Sequence, residues 1–320
     1  MSDMNVAITP ESLNKSFVKY RKELLTMPVY ALNKVLPYMT CRFGIRYQEV
    51  VGELSGDMQL APYKVRRHDD SDVAIKGRIL QTYLGNCVKG FNPNAVVDSI
   101  YGSDIVMGEG LKNVPITKQV AAYLMARLGE HLYQDLFTAV RDENGDTTAT
   151  LFNGFKTIAE TEITGGNIST AKGNLKTMAA APTEADVIDF FEEFVDAADE
   201  KLTDQKSFLI VPRKYKCMYE RAYRAEHGSL NYNNGFTKTF LDGEPNVEIV
   251  GLGNVPEGYM QLSTKENVLI GLNLRGEEER FLVEKALDSH FLLDFVAAMF
   301  FGCQFESISK EKLLIGKVSA

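Results

Sequence analysis

Phe208-Leu209-Ile210-Val211-Pro212-Arg213-Lys214-Tyr215 is the stretch on which the reading of this chain turns. An unbroken apolar run of this length suits a strand buried on both faces. Pro212 ends it, because proline has no N–H to give a central ladder. Tyr215, Met218, Tyr219, Ala222 and Tyr223 then recur at helical spacing. Val247-Glu248-Ile249-Val250-Gly251-Leu252 reads as a second strand, and Val255-Pro256-Glu257-Gly258-Tyr259 as a turn into a third. Strands and helices mixed in this irregular order predict an α+β fold.

Upstream, Pro182-Thr183-Glu184-Ala185-Asp186 opens another helix, with Thr183 as its cap and Asp186 three residues on, close to a capping box. Val187, Ile188, Phe190, Phe191, Phe194, Val195 and Ala198 form its buried face. The Gly/Thr/Asn-rich stretch from Thr161 to Thr177 reads as loop, and Leu151-Phe152-Asn153-Gly154-Phe155 as an apolar turn. Before that turn, Pro115 suits an early helical position. Ile116, Val120, Leu124, Leu128, Leu132, Leu136 and Val140 then recur every four residues. A four-residue spacing drifts around a 3.6-residue helix, so the stripe winds along a rod over residues 115–141. At ~1.5 Å per residue the rod is roughly 40 Å long. Asn144-Gly145 supplies its stop.

Residues 47–92 read as a long β-hairpin. Its tip, Arg66-Arg67-His68-Asp69-Asp70-Ser71-Asp72, is highly charged, and its return arm runs from Val73 to Leu84. A lone hairpin of this length is marginal in water, so it needs a surface to lie on. Residues 1–46 read as an arm with one amphipathic helix near Pro10–Leu25, after which Pro28 and Pro37 break the chain. That arm carries seven cations against three acids, a net +4, with Lys15, Lys19, Arg21 and Lys22 clustered. His227 to Gly235 is an Asn-rich loop holding Asn231, Asn233 and Asn234. Beyond it, Asn267-Val268-Leu269-Ile270-Gly271 and Lys312–Val318 read as strands, and the apolar run Phe291 to Phe305 as a core element.

Bulk properties narrow the function. The chain has 320 residues, enough for two compact lobes. A net charge of −8 argues against a dedicated nucleic-acid binder, which usually carries a basic domain. Cys41, Cys87, Cys217 and Cys303 are far apart, without CxxC or Cys-His spacing, and read as reduced, packed thiols. The polar N-terminus lacks the apolar core of a signal peptide. The Phe291 to Phe305 run is interrupted by Asp294 and Gln304 and falls short of the ~20 residues a membrane span needs.

Chemistry-bearing motifs are few. His68, His131, His227 and His290 have no metal-ligand spacing. Gly251-Leu252-Gly253-Asn254-Val255-Pro256 follows a strand as a dinucleotide loop would, but proline stands where the third glycine belongs and no helix N-terminus follows. Glu277-Glu278-Glu279 and Asp69-Asp70-Ser71-Asp72 lack EF-hand spacing and read as solvated turns. No phosphate-binding P-loop and no GxSxG elbow occurs. The expectation is therefore a protein without cofactor or catalytic residues.

The order of these elements resembles the major capsid protein of tailed bacteriophages, of the Hong Kong 97 type, and is similar above all to those of phages of gut Bacteroidetes. The likeness rests on the N-terminal arm and on the hairpin with Gly77-Arg78-Ile79-Leu80-Gln81-Thr82-Tyr83-Leu84-Gly85 and Phe91-Asn92-Pro93. It rests further on the long helix with the Leu151–Phe155 turn after it, and on the Val211-Pro212 and Val255-Pro256-Glu257-Gly258 turns. The resemblance implies an N-terminal arm (1–46), an extended loop (47–92), a peripheral domain with a spine helix (93–182, helix 115–141), an axial domain (183–262) and return strands (263–320). It implies a structural protein of the virion, assembled in the bacterial host cytoplasm, that forms hexamers and pentamers of an icosahedral shell around double-stranded DNA. Scaffolding, portal and decoration proteins are the implied partners, and no membrane is. Residues 1–46 are too short for the scaffolding segment the family often carries, so scaffolding is expected to be separate or already removed. Arg66, Arg67, Asp69, Asp70 and Asp72 are then expected to contact a neighbouring subunit. Asn231, Asn233 and Asn234 would contribute to contacts in the axial domain. Lys15, Lys19, Arg21 and Lys22 would face packaged DNA. A nanocompartment shell of the same fold, enclosing a cargo enzyme like an encapsulin, is the alternative.

Overall fold

All six residues of the strand Ser207–Pro212 are buried, and its two faces belong to two different cores. Phe208 and Ile210 point into one core, Leu209 and Val211 into the other. The unbroken apolar run is thus explained by a sheet with helices and strands packed on both sides. The computed structural model describes residues 32–55, 62–63, 74–92, 116–227, 239–273, 282–286 and 292–319.

The chain enters through β1 (Thr40–Phe43), β2 (Gln48–Ser55), β3 (Ala74–Gln81) and β4 (Tyr83–Phe91). Helices α1 (Ile116–Asp135) and α2 (Phe155–Thr164) follow, then β5 (Leu175–Met178) and α3 (Val187–Asp196). Next come β6 (Ser207–Pro212), α4 (Arg213–His227), β7 (Thr239–Leu241), β8 (Glu244–Leu252), β9 (Tyr259–Thr264) and β10 (Val268–Asn273). The chain closes with β11 (Leu282–Lys285), β12 (Leu293–Phe305) and β13 (Leu313–Val318). Six strands form one sheet in the order β5-β13-β9-β6-β8-β7. A second sheet is built around the long β12, with β10 and β11 on one edge and β4 on the other, and β1 outside β10. β2 and β3 pair with each other as an antiparallel hairpin.

One core lies between the inner face of β12, helices α1 and α2, and the Phe208 face of the six-stranded sheet. Its aromatic contacts include Phe152 against Phe301 and Phe155 against Phe305, with ring centroids 4.6 and 5.2 Å apart. The second core sits under α3 and α4 on the opposite face of that sheet, where Phe191, Phe194, Tyr215 and Tyr219 are buried against Leu209, Val211 and Ile249.

Three local expectations are corrected. The long helix ends at Asp135, not near residue 141, and Val140 is exposed. The cause is α2. Phe155 and Lys156 donate their amides to the carbonyls of Leu136 and Phe137, and Gly154 donates to Ala139. These bonds hold the turn Leu136 to Ala139 that follows the helix and divert the chain. Only glycine fits at 154, since an added Cβ would lie 2.5 Å from the Phe137 carbonyl. Asn153 completes the joint by accepting from the Arg141 amide at 2.9 Å. The expected loop Thr161 to Thr177 is partly regular: α2 runs to Thr164, and β5 adds to β13 in parallel. The helix expected from Thr183 begins at Val187. The Thr183 hydroxyl donates to Asp186 Oδ1 at 2.8 Å in the turn ahead of it.

Candidate assembly surface

β12 carries the clearest pattern in the molecule. Its inner residues, Leu293, Phe295, Ala297, Met299, Phe301, Cys303 and Phe305, are all buried in the first core. Along the outer face, Asp294, Val296 and Ala298 are partly exposed, whereas Phe300 and Gly302 are buried. The change comes where the base of the β2–β3 hairpin crosses the sheet.

Two glycines make that crossing possible. Gly271 of β10 and Gly302 of β12 are paired directly across the ladder, leaving a patch of sheet without side chains. A Cβ on Gly302 would lie 2.1 Å from the Gln81 carbonyl oxygen. One on Gly271 would lie 2.8 Å from Thr82 Cγ2 and 3.3 Å from Leu80 Cδ2. Leu80 and Val51, from the underside of the hairpin, are buried there with Ile45 and Leu269 in a small apolar cluster. Tyr47, at φ 68°, turns its ring edge onto Phe300 at 5.2 Å, and its carbonyl accepts from the Thr82 amide at 2.6 Å.

Arg78 fastens the same base by charge. Its Nη2 donates to Glu162 Oε1 at 2.7 Å and to Gln304 Oε1 at 3.1 Å, and its Nε donates to the Phe305 carbonyl at 3.1 Å. Both charged side chains are largely shielded, at 15% and 19% exposure. Gln304 returns a bond to the Ile79 carbonyl at 3.2 Å. Arg42 adds weaker pairs to Glu49 and Glu306, each at 3.4 Å. The hairpin direction is therefore set by the body of the subunit, through α2, β10 and β12 together.

What the hairpin does not cover mixes polar side chains, Asp294, Asn86 and Glu284, with exposed aliphatic ones. Leu84 pairs with Phe300 and Val88 with Val296, so both lie on the outer face of the sheet, at 46% and 53% exposure. On the hairpin, Val50 and Ile79 are cross-strand partners facing away from the body, at 73% and 50% exposure. Exposed aliphatic side chains thus stand on both a projecting element and a flat sheet face, a feature that recurs at interaction sites. On the inner face, by contrast, the Cys303 thiol donates to the Asn153 carbonyl at 2.9 Å, and burial pushes its pKa up, so it stays neutral and packed. Cys41 is pushed up to about 11, also chiefly by burial.

The residues expected from the sequence to carry interfaces lie elsewhere in the chain. Arg66, Arg67, Asp69, Asp70 and Asp72 at the hairpin tip, Asn231, Asn233 and Asn234, and Lys15, Lys19, Arg21 and Lys22 all fall outside the described residues. Sequence reasoning passed over Arg78, Gly271 and Gly302 as functional residues. Glycine inside a strand pattern is a sign of close backbone approach, and that sign was present at both positions. Among the described residues no group of three His, Cys, Asp or Glu side chains is placed to hold a metal ion, and no helix is long and apolar enough to cross a membrane.

No protein-family model and no curated protein matches the chain. Solved structures do match it over nearly its whole length. A chain of the satellite phage P4 procapsid with its size-determination (Sid) protein aligns with a TM-score of 0.58 at 10% identity, over 93% of this chain and 90% of that one. The capsid of an empty GTA particle gives 0.56 at 12% identity, over 89% and 96%. The capsid of cyanophage A-1(L) gives 0.55 at 13% identity, over 92% of each. The fold is the Hong Kong 97-type capsid fold. Identities this low establish architecture, so function has to be argued from the surface just described.

Proposed function

We propose that this chain is a major capsid protein, a structural and not a catalytic component of the virion, which assembles in the bacterial host cytoplasm into hexamers and pentamers of an icosahedral phage head enclosing double-stranded DNA. The observation that carries the proposal is the half-covered outer face of β12, beside a hairpin that shows its own apolar pair to solvent. In the proposed lattice the hairpin of one subunit lies over the bare half of its neighbour's sheet, and the charged tip Arg66–Asp72 makes polar contacts there. Exposed ion pairs contribute about 0–1 kcal/mol each, so most of the lattice energy comes from buried apolar area at ~25 cal/mol per Å² before association costs. Asn231, Asn233 and Asn234 would line contacts around the five- and six-fold axes. Scaffold, portal and decoration proteins are proposed partners on the same basis, and the kinship with phages of gut Bacteroidetes rests on the sequence resemblance alone.

The test is negative-stain electron microscopy of the purified chain over a concentration series, with a variant lacking residues 62–76. The expected result is shells, capsomers or curved sheets for the full chain and a folded but unassembled subunit for the deletion. A uniform monomer or dimer, even with crowding agents or a co-expressed scaffold, would overturn the proposal. Normal assembly of the deletion would overturn the role given to the hairpin. Shells that copurify with a protein cargo and no nucleic acid would identify a nanocompartment instead.

A further inference from the structure

Away from the hairpin, a groove of about 800 Å³ opens where α1, the N-terminus of α4 and the turn between β8 and β9 meet the start of the described chain. Lys34, Arg213 and Lys216 line it, with Glu130 as its acid and Tyr38 and Tyr133 on its walls. Glu130 is already engaged by Arg127 at 2.6 Å. Neither Lys34 nor Arg213 is paired with a carboxylate among the described residues, and Lys216 reaches Glu220 only at 3.8 Å. Lys34 Nζ instead lies 5.3 Å above the Tyr133 ring. Arg213 comes close enough to that tyrosine for its charge to oppose the rise in pKa that burial imposes on the hydroxyl. Gly251 brings Lys216 in, because the space a Cβ would need there, 2.8 Å from Lys216 Cβ, is occupied by the lysine stem.

This concentration of cations is out of keeping with a chain of net charge −8. Concave walls focus the potential of charges left unneutralised on them. We infer that this groove receives the sugar-phosphate backbone of packaged double-stranded DNA, without reading its sequence. A linear array of phosphates at about 1.7 Å of helix axis per charge suits an open groove lined by aromatic-supported cations. Contacts of this kind act mainly through counterion release, so they are salt-sensitive and replaceable one by one. A genome that must slide during packaging and ejection needs that property.

The inference rests on the capsid reading, and the experiment separates the two. Unassembled full-length chain is titrated against a short random-sequence DNA duplex across a salt series by fluorescence anisotropy, and the same preparations are checked for assembly by microscopy. Relative to wild type, K34Q/R213Q/K216Q should flatten the dependence of log K on log salt by about 2 to 3, at roughly 0.9 per lost phosphate contact. Should the triple variant fold poorly, the exposed K34Q alone should flatten it by about 0.9. K172Q, an exposed cation outside the groove, should leave the slope unchanged. A wild-type slope in the triple variant, an equal loss in K172Q, or no duplex binding at low salt would each overturn the groove assignment. Shells formed normally by these variants would leave the capsid reading standing in all three cases.

Discussion

The outer face of β12 is two surfaces on one strand. From Phe300 onward it is closed, with the hairpin base resting on a glycine pair and pinned by Arg78. Up to Ala298 it is open, with Val88 in solvent beside Val296, and Leu84, the partner of Phe300, is half exposed at the boundary. The closed half is an intramolecular interface whose complementarity is finished when the chain folds. The open half mixes aliphatic and polar side chains and has no partner within the described chain. Under the proposed function the same sheet face does two jobs, one in folding and one in association, and each half can be disturbed without the other.

The largest effect should come from closing the space under the hairpin. A Cβ at position 302 meets a backbone carbonyl oxygen, which cannot rotate away, whereas one at 271 meets the ends of Thr82 and Leu80 side chains. Inserting a methyl into a filled site costs about 1–3 kcal/mol when neighbours cannot yield. G302A should therefore lower the urea midpoint of the unassembled chain by an amount near the top of that range, and G271A by clearly less. Both should disturb shells, because the hairpin direction shifts. Equal losses for the two variants would mean that the hairpin base is not held as tightly as the closed half implies.

The sequence announces some of this and hides the rest, for physical reasons. Long periodic segments were legible: β6, α3, α4, β8, β10 and β13 all coincide with runs whose apolar spacing matches their structure. The hairpin was legible in part: β2 and β3 pair as an antiparallel ladder, but the return strand ends at Gln81, and the rest of the expected 47–92 span joins β12 as β4. The end of α1 was not, because the turn after it is held by amides from Gly154 to Lys156 on the carbonyls of Leu136, Phe137 and Ala139, a tertiary contact that helix periodicity does not contain. β5 was not, because Leu175-Lys176-Thr177-Met178 is a four-residue edge strand with half its residues polar. β12 reads as an apolar run broken only by Asp294 and Gln304, and nothing local tells its covered half from its bare half. The cover comes from residues about 220 positions earlier in the chain. Charge and asparagine content drew attention to the hairpin tip, the Asn-rich loop and the arm. The fastening residue Arg78 is an ordinary arginine in a strand until Glu162 and Gln304 are brought to it.

The electrostatic fastening should rank second. Removing one member of a shielded ion pair leaves the other poorly solvated, so R78Q and E162Q should each cost about 1–2 kcal/mol. The double variant should lose less than the sum, with a coupling of about 1 kcal/mol in a double-mutant cycle read by urea denaturation. Additive losses would show that the closed half is held by the glycine saddle and apolar contacts alone, with Arg78 acting as a bystander.

The smallest effect on folding should come from the open half, and there it is the disparity between two readouts that matters. L84T/V88T replaces side chains that are already about half in water, so the unassembled chain should keep its stability within about 0.5 kcal/mol. If a neighbouring subunit buries the same positions, each loses part of the ~1.5–3 kcal/mol that a fully buried aliphatic side chain contributes. The protein concentration needed for assembly should then rise by roughly tenfold or more, a factor worth ~1.4 kcal/mol per contact set. Light scattering against concentration, run beside urea denaturation, measures both. Unchanged assembly with unchanged stability would mean that the open half faces solvent in the shell as well, and the partner of the Val50–Ile79 pair would have to be sought on another surface.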